Sequence, residues 1–356
     1  MSGSSASLGV AGNAAVLSRL SLLTGWWTGV AAGDLDGDGR LDLVAGNRGL
    51  NGRDRPSLDR PIRLHYGDVT GDGLVDIIES LINPATGVEV PSRALRPVRE
   101  AIPFVRARIP TFAAYGQASL ADLYGEALQE TAALEVVEWA SVVLLNRGDY
   151  VAVAPLATEA QLAPAFGIAI ADFNGDGLED VLLSQNFFAV NPDEWRQAAG
   201  RGLLLLGEGG GRLRPVPGQE SGVRVYGEQR GCAASDYDGD GRTDVVIAQN
   251  ANRTVLLQNR GARPGLRVRL EGDAANPEGI GASLRLRTAG ALGPAREVQA
   301  GSGYWSRHSA VQVLAGGPGA ARVWVRWPGG RVTESDVPAG ALEVGIKSDG
   351  TLRRVR

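Results

Sequence analysis

The chain has 356 residues, 44% of them hydrophobic, and a formal net charge of −4. This length allows one large domain or two ordinary ones with a substantial core. The small net charge argues against nucleic-acid binding driven by bulk charge. Glycine supplies 50 residues without a triplet period, which indicates many turns between short strands.

Residues 1–25 form an N-terminal segment with no basic region ahead of an apolar run, so the sequence shows no recognisable signal peptide. No stretch approaches about 18 uninterrupted apolar residues, so no membrane span is predicted. The single cysteine, Cys232, excludes an internal disulfide and a thiolate metal cluster.

One acidic motif, D-x-[DNT]-G-D-G-x-x-D, occurs four times, and we number its copies loops 1 to 4. The copies are DLDGDGRLD at 34–42, DVTGDGLVD at 68–76, DFNGDGLED at 172–180 and DYDGDGRTD at 236–244. A short apolar run stands before and after each copy, as in IRLHYG at 62–67 and VVIAQN at 245–250. The repeating unit is therefore predicted to be strand, acidic loop, strand.

Two further segments, 141–156 and 202–217, are typical of hairpins closed by glycine turns. A hairpin added to a strand–loop–strand unit gives four antiparallel strands, the size of one propeller blade. Between loops 2 and 3, the apolar spacing of 119–139 predicts a helical insertion at about 118–140, with Ser119 and Asp122 as a capping box. A packing role for it is favoured over a partner-binding helix. After residue 262 the sequence alternates, which predicts a small separate antiparallel β domain at 263–356.

The acidic loops are predicted to bind metal. Side chains at positions 1, 3, 5 and 9 and the carbonyl at position 7 offer hard oxygens in a flexible loop, which suits Ca²⁺; Mg²⁺ is the second choice. The loops lack His and Cys, which disfavours Zn²⁺ and copper. The alternative is a metal-free acidic turn, which four copies with the same fixed positions make less favourable. An EF-hand is rejected, because only Glu79 fits its twelfth position and strands flank that loop.

Up to four Ca²⁺ ions are thus predicted, with loops 1 and 4 expected to bind more strongly because loops 2 and 3 each replace one carboxylate. The predicted ligands are Asp34, Asp36, Asp38, Arg40 and Asp42 in loop 1; Asp68, Thr70, Asp72, Leu74 and Asp76 in loop 2; Asp172, Asn174, Asp176, Leu178 and Asp180 in loop 3; and Asp236, Asp238, Asp240, Arg242 and Asp244 in loop 4.

These loops between strands resemble the FG-GAP or VCBS-type repeats of integrin-like β-propellers. The tail segments at 301–317 and 323–332 resemble the ASPIC/UnbV domain, which follows such repeats in proteins similar to cartilage acidic protein. The resemblance implies an all-β, Ca²⁺-bearing propeller over 26–262, usually secreted, followed by an ASPIC/UnbV-like domain over 263–356. The available length gives room for a partial or small propeller of about four to six blades.

The leading hypothesis is a non-catalytic, calcium-stabilised module for extracellular or cell-envelope recognition or adhesion, with an unidentified protein or glycan ligand. An enzyme such as a hydrolase or cyclase, with an active site in the propeller pocket, is one alternative. No catalytic residue is proposed, since His65, His308 and Cys232 are better explained as structural residues. A second alternative is glycan binding through Tyr304, Trp305, Trp324 and Trp327, for which core packing is favoured.

Overall fold

The computed structural model of the protein describes residues 20–191, 194–288, 291–316 and 321–356. The strands of this part of the chain, numbered in order, are β1 Gly29–Gly33, β2 Asp42–Gly46, β3 Ile62–Gly67, β4 Asp76–Ile82, β5 Glu89–Pro91, β6 Ala132–Val136, β7 Val142–Asn146, β8 Val151–Pro155, β9 Ala165–Ala171, β10 Asp180–Gln185, β11 Leu203–Gly207, β12 Leu213–Val216, β13 Glu228–Ser235, β14 Asp244–Asn250, β15 Asn252–Leu257, β16 Leu266–Glu271, β17 Ser283–Thr288, β18 Ala291–Leu292, β19 Arg296–Glu297, β20 Gln312–Leu314, β21 Ala321–Arg326, β22 Val332–Asp336, β23 Glu343–Lys347 and β24 Leu352–Arg354. The helices are α1 Leu95–Ala101, α2 Val105–Arg108, α3 Phe112–Tyr115, α4 Leu120–Tyr124 and α5 Gly218–Ser221, with 3₁₀ helices at Gly125–Glu130 and Thr158–Gln161. The predicted all-β class is confirmed.

Every acidic loop joins two paired antiparallel strands, as the repeat predicts. Loop 1 joins β1 to β2, loop 2 joins β3 to β4, loop 3 joins β9 to β10, and loop 4 joins β13 to β14. The strand predicted before loop 2 coincides with β3. Local alternation and glycine turns predict the positions of these strands from the sequence.

The chain divides into two compact units. Unit 1 contains Trp27–Gly52 and Ala140–Arg356, and unit 2 contains Arg53–Trp139 with the residues just before Trp27. Unit 2 is therefore inserted in the sequence between β2 and β7. These two strands are nevertheless neighbours in one sheet of unit 1.

Three sheets of unit 1 carry acidic loops, in the strand orders β1-β2-β7-β8, β12-β11-β10-β9 and β13-β14-β15. The hairpins predicted at 141–156 and 202–217 form the outer halves of the first two sheets. One apolar core, which includes Val44, Ile168 and Leu183, joins the first sheet to the second. Another, which includes Leu182 and Val245, joins the second sheet to the third. Blade-like sheets that pack face to face are typical of a propeller.

Unit 1 also contains the chain after residue 262, which forms two further sheets, β20-β16-β23-β24 and β18-β17-β21-β22, around its own apolar core. This region is antiparallel except that β16 and β23 run parallel. The long intervening segment allows this exception, because parallel neighbours need a long crossover. The boundary near residue 262 stays a prediction, because these strands pack within unit 1.

A segment of this C-terminal region, 295–313, lies along the first strands of the three loop-bearing sheets. Gln299 donates to the carbonyl of Ala32 in β1 (3.4 Å), and the amide of Ser309 donates to the carbonyl of Ala234 in β13 (3.0 Å). Between these points, the Tyr304 ring packs edge-on against Phe166 of β9, with ring centroids 5.4 Å apart. The C-terminal region thus contacts all three loop-bearing sheets of unit 1.

Unit 2 consists of the sheet β5-β4-β3-β6 and helices α1 to α4, whose apolar faces pack with Ile78. The predicted capping box is present, since Ser119 and Asp122 exchange hydrogen bonds at the start of α4. The predicted bounds of the helical insertion, 118–140, are wrong at both ends. The helices begin at Leu95, and Leu134 lies in β6, which pairs with β3. Pairing with an available sheet edge overrides the helical spacing there.

Candidate metal centre

The acidic loops turn sharply at two glycines, at positions 4 and 6. In loop 1, Gly37 and Gly39 have φ angles of +78° and +91°, and the glycines at the same positions of the other loops are also left-handed. Only glycine adopts this backbone readily. The turn brings together the aspartates at positions 1, 3 and 9 in loop 1 and those at positions 1, 3 and 5 in loop 4.

The aspartate at position 9 closes each loop by accepting backbone hydrogen bonds. In loop 1, Asp42 accepts from the amides of Leu35 (2.9 Å) and Asn146 (2.7 Å), the second at the end of β7. In loops 3 and 4 the equivalent aspartates, Asp180 and Asp244, likewise tie their loop to a third strand segment. In unit 1 the aspartate at position 9 therefore holds its loop closed and attaches it to a neighbouring strand segment, in addition to its predicted role as a metal ligand.

In loops 2, 3 and 4 the aspartate at position 1 accepts three backbone hydrogen bonds from its own loop. One oxygen accepts from the amides at positions 4 and 5 and the other from the amide at position 6, at 2.6–3.1 Å in loop 3. The same pattern holds for Asp68 and Asp236. These aspartates serve first as acceptors that shape the turn.

Loop 1 differs at this position. Asp34 Oδ2 accepts from the amides of Gly39 (2.9 Å) and Ala295 (2.7 Å), whereas Asp34 Oδ1 is buried without a hydrogen-bond partner among the described residues. The residue is only 1% exposed. A buried carboxylate oxygen without a partner is costly, so its environment favours a cation.

The surroundings of Asp34 supply the rest of a cation site. Ligand atoms of Asp34, Asp36 and Asp42 all lie within 4.8 Å of one another. Burial raises the pKa of Asp34 above its ordinary value and that of Asp42 to about 6. Because neighbouring carboxylates add to this rise, a divalent ion would stabilise the ionised forms. Arginines also act on this loop, since Arg147 on the turn after β7 pairs with Asp36 and Arg40 pairs with Asp38. The charge of Arg285 offsets part of the rise in the pKa of Asp34.

Loop 4 forms the second such group, in which ligand atoms of Asp236, Asp238 and Asp240 lie within 4.8 Å. Two arginines pair with it, since Arg242 contacts Asp240 (2.6 Å) and Arg267 of β16 contacts Asp236. Burial raises the pKa of Asp244 above its ordinary value. Loop 4 therefore has the charge for a metal ion, but arginine side chains already pair with two of its carboxylates.

Loops 2 and 3 do not form a comparable group among the described residues. In loop 2 the Thr70 hydroxyl donates to Asp76 (3.1 Å), and in loop 3 the Asn174 amide donates to Asp176 (2.8 Å), so the substituted positions bond within their loops. The amides of Arg40, Leu74, Leu178 and Arg242 donate to the aspartate at position 5; their carbonyls stay predicted ligands.

Arg267, Arg147 and the amide of Ala295 were not identified from the sequence as part of these sites. They lie 31, 111 and 261 residues from their partners in the loops. The sequence offers only a weak signal, the alternation of arginine with apolar residues in LRVRLE, which places Arg267 off the core face of β16.

The residues considered for catalysis have structural partners. His65 Nε2 lies 2.9 Å from Glu89 Oε1 in unit 2. His308 Nδ1 accepts from the amide of Ala234, and burial raises the pKa of Cys232 to about 12. Of the aromatic residues, Trp327 is buried and donates to Thr333, whereas Trp305 is 92% exposed.

Comparison with known families gives two matches, one near the start of the chain and one in its C-terminal region. The sequence model of the FG-GAP repeat matches residues 26–55, which include all of loop 1, and that of ASPIC and UnbV matches residues 272–351. The chain carries an FG-GAP repeat and a C-terminal ASPIC/UnbV domain. Both recognitions from sequence are confirmed. No curated protein matches the chain.

These domains are typical of extracellular recognition or adhesion modules. The acidic groups of loops 1 and 4 have the composition and proximity to hold a metal ion. In the part of the chain that the structure describes, no helix has the length and apolar character needed to cross a membrane.

Proposed function

We propose that the protein is a non-catalytic, calcium-stabilised module for extracellular or cell-envelope recognition. The observation that carries this is Asp34 Oδ1, a buried oxygen without a hydrogen-bond partner among the described residues, at the first position of the loop matched by the FG-GAP repeat. Asp34, Asp36 and Asp42 would hold the ion, with the remaining predicted ligands of the loop available to it. When bound, Ca²⁺ would supply positive charge that holds these carboxylates together.

Calcium is favoured over other ions by the chemistry of the donors. All side chains in the group are carboxylates, which suit hard cations, and the two-glycine turn gives a flexible loop. Extracellular calcium modules often have a Kd of about 10⁻⁴–10⁻³ M. Sites of that affinity fill outside the cell, so a Kd in this range is the expected result for an exported protein.

Thermal and urea unfolding with excess Ca²⁺ or with chelator would test the proposal. Calcium at 100 times Kd is expected to raise the free energy of unfolding by about 2.7 kcal/mol for each occupied site. The Asp34→Asn variant should lose most of the gain from loop 1, and Asp59→Asn, at an exposed aspartate outside the loops, should retain it. Identical unfolding curves of the wild type with Ca²⁺ and with chelator would refute structural calcium.

An enzyme remains the first alternative, and a cavity beside the first strands of unit 1 is one candidate for its active site. That cavity, lined by Glu179, Arg296 and His308 among others, has a volume of about 50 Å³. Ligand pockets are usually about 300–1,000 Å³. Glu179 and Arg296 are also paired with each other at 2.6 Å. A space of this size suits one or a few water molecules better than a substrate. His308 also lines a more open cavity of about 650 Å³ with Tyr237 and Asp244, and a substrate of an enzyme would have to bind there.

Glycan binding is the second alternative, and Trp305 favours it. Its backbone is left-handed (φ +48°), and the turn that carries it is braced by the Ser302 amide and the Ser306 hydroxyl. Strained, exposed aromatic residues often serve in binding. Glycan-array binding that disappears in Trp305→Ala would support this alternative, and an array that stays silent would remove it.

A further inference from the structure

Arg267 is a residue of the C-terminal region whose side chain pairs with an aspartate of an acidic loop. It lies on β16, where Leu266, Val268 and Leu270 face the apolar core of that region. Alternation along the strand directs Arg267 to the opposite face. There its guanidinium pairs with Asp236, the first aspartate of loop 4.

The pairing is held from both sides. Arg267 Nε donates to Glu343 Oε2 (2.9 Å), and the two residues are register neighbours on the parallel strands β16 and β23. Arg267 Nη1 donates both to Asp236 Oδ2 and to the Asp236 carbonyl, the latter at 3.3 Å. The side chains of Arg267 and Asp236 are only 12% and 1% exposed. The positive charge of Arg267 is therefore held in one buried position, whereas an arginine on the surface would be mobile.

The carboxylates of loop 4 all have partners within the described structure. Asp236 has Arg267 and three loop amides, Asp238 accepts from Gln258 (2.6 Å), and Asp240 pairs with Arg242. Loop 1 contrasts with this, because Asp34 Oδ1 has no such partner. Loop 1 also has two arginine pairs, Arg147 with Asp36 and Arg40 with Asp38, and the charge of Arg285 offsets part of the rise that burial causes in the pKa of Asp34. The difference is that no arginine among the described residues donates a hydrogen bond to Asp34 Oδ1, whereas Arg267 donates to Asp236.

We infer that Arg267 is the resident cation of loop 4, taking the place of a divalent ion, so that loop 1 binds calcium while loop 4 does not. Since arginine stays charged at every physiological pH, the guanidinium of Arg267 takes the place of the ion at each of them. A metal ion at loop 4 would have to displace Arg267 from Asp236 and leave its buried charge with Glu343 alone. The assignment rests on the proposed calcium function, because it distributes the ions between the loops.

Calcium titration calorimetry on the full chain tests this with matched variants at position 3 of each loop. Asp36→Ala is expected to lower the number of bound ions by one, and Asp238→Ala is expected to leave it unchanged. Asp238 is exposed and does not contact Arg267, so the variant keeps the domain contact. A loss of one ion in Asp238→Ala would overturn the inference.

The complementary variant removes the resident cation. Arg267→Met is expected to bind one more ion than the wild type, and Arg267→Lys, which keeps the charge, is expected to bind no more. Arg269→Met is the control, since Arg269 lies two residues along the same strand, is 51% exposed and reaches Glu343 but not the loop. A folded Arg267→Met that gains no ion would refute the idea. If it does not fold, the result with Asp238→Ala decides.

The two proposals can fail separately. If neither the wild type nor Arg267→Met binds calcium, the proposed calcium function fails together with the inference. If the wild type binds calcium through loop 4, only the assignment of Arg267 fails.

Discussion

His308 should make the stability of the protein depend on pH between about 4 and 6.5. Its Nδ1 accepts a hydrogen bond from the Ala234 amide (3.0 Å), which requires the unprotonated nitrogen, and burial lowers the pKa of His308 from 6.5 to about 4. The unfolded chain therefore takes up a proton at a higher pH than the folded chain. This contribution to stability is present above pH 6.5 and is lost as the pH falls towards 4.

The magnitude follows from the difference between the two pKa values. At about 1.36 kcal/mol per pKa unit, the full contribution of His308 is about 3 kcal/mol, of which about 2 kcal/mol is lost between pH 7 and pH 5. Urea unfolding at several pH values would measure it. Carboxylates also titrate in this range, so the useful quantity is the difference between the wild type and His308→Gln.

Glutamine keeps an acceptor for the Ala234 amide but has no proton to gain. The wild type should therefore lose about 2 kcal/mol more than His308→Gln between pH 7 and pH 5. Parallel pH curves for the two proteins would show that the imidazole titrates alike in the folded and unfolded states, and would refute this account of its burial.

Three further variants test the packing around the loops. Asp180→Ala should reduce the free energy of unfolding in urea by about 2–6 kcal/mol, because two buried amides lose their acceptor. Asp76→Ala, in the exposed loop 2, should reduce it far less. Equal losses would contradict the role of position 9 in holding the loops of unit 1. Glu179→Gln should cost about 3–5 kcal/mol, because Arg296 is left buried without its counter-charge, and Glu179→Leu combined with Arg296→Met should recover most of it. Trp305→Ala should change stability by less than about 0.5 kcal/mol, since the side chain is exposed; a larger loss in a melting experiment would show that the indole packs.

The strands beside the acidic loops were predictable because their signals are local. Alternating apolar residues and the two glycines of each loop determine strand, turn and strand within about twenty residues. The capping box of Ser119 and Asp122 is local in the same way. For this reason the predicted loop positions coincide with the turns of the structure.

Contacts between distant parts of the chain were not predictable from these patterns. β2 and β7 pair although all of Arg53–Trp139 lies between them in the sequence, and no local signal marks the return of the chain to the same sheet. The spacing of Leu134 predicts a helix, but the residue lies in β6, which pairs with β3. Arg267 reads as one of several arginines in an alternating strand, and only the fold shows that it alone on this strand meets loop 4.

The aspartates at position 9 explain how loops of one motif can differ in metal content without losing their structure. Each accepts backbone hydrogen bonds that close its loop, and in unit 1 Asp42, Asp180 and Asp244 also tie the loop to a third strand segment. This bracing needs a carboxylate but does not need an ion. A loop can therefore keep its four aspartates for the turn while an arginine such as Arg267 balances their charge. The number of acidic motifs is then an upper limit on the number of calcium ions, and the partner of the aspartate at position 1 distinguishes a loop that needs a metal from one that does not.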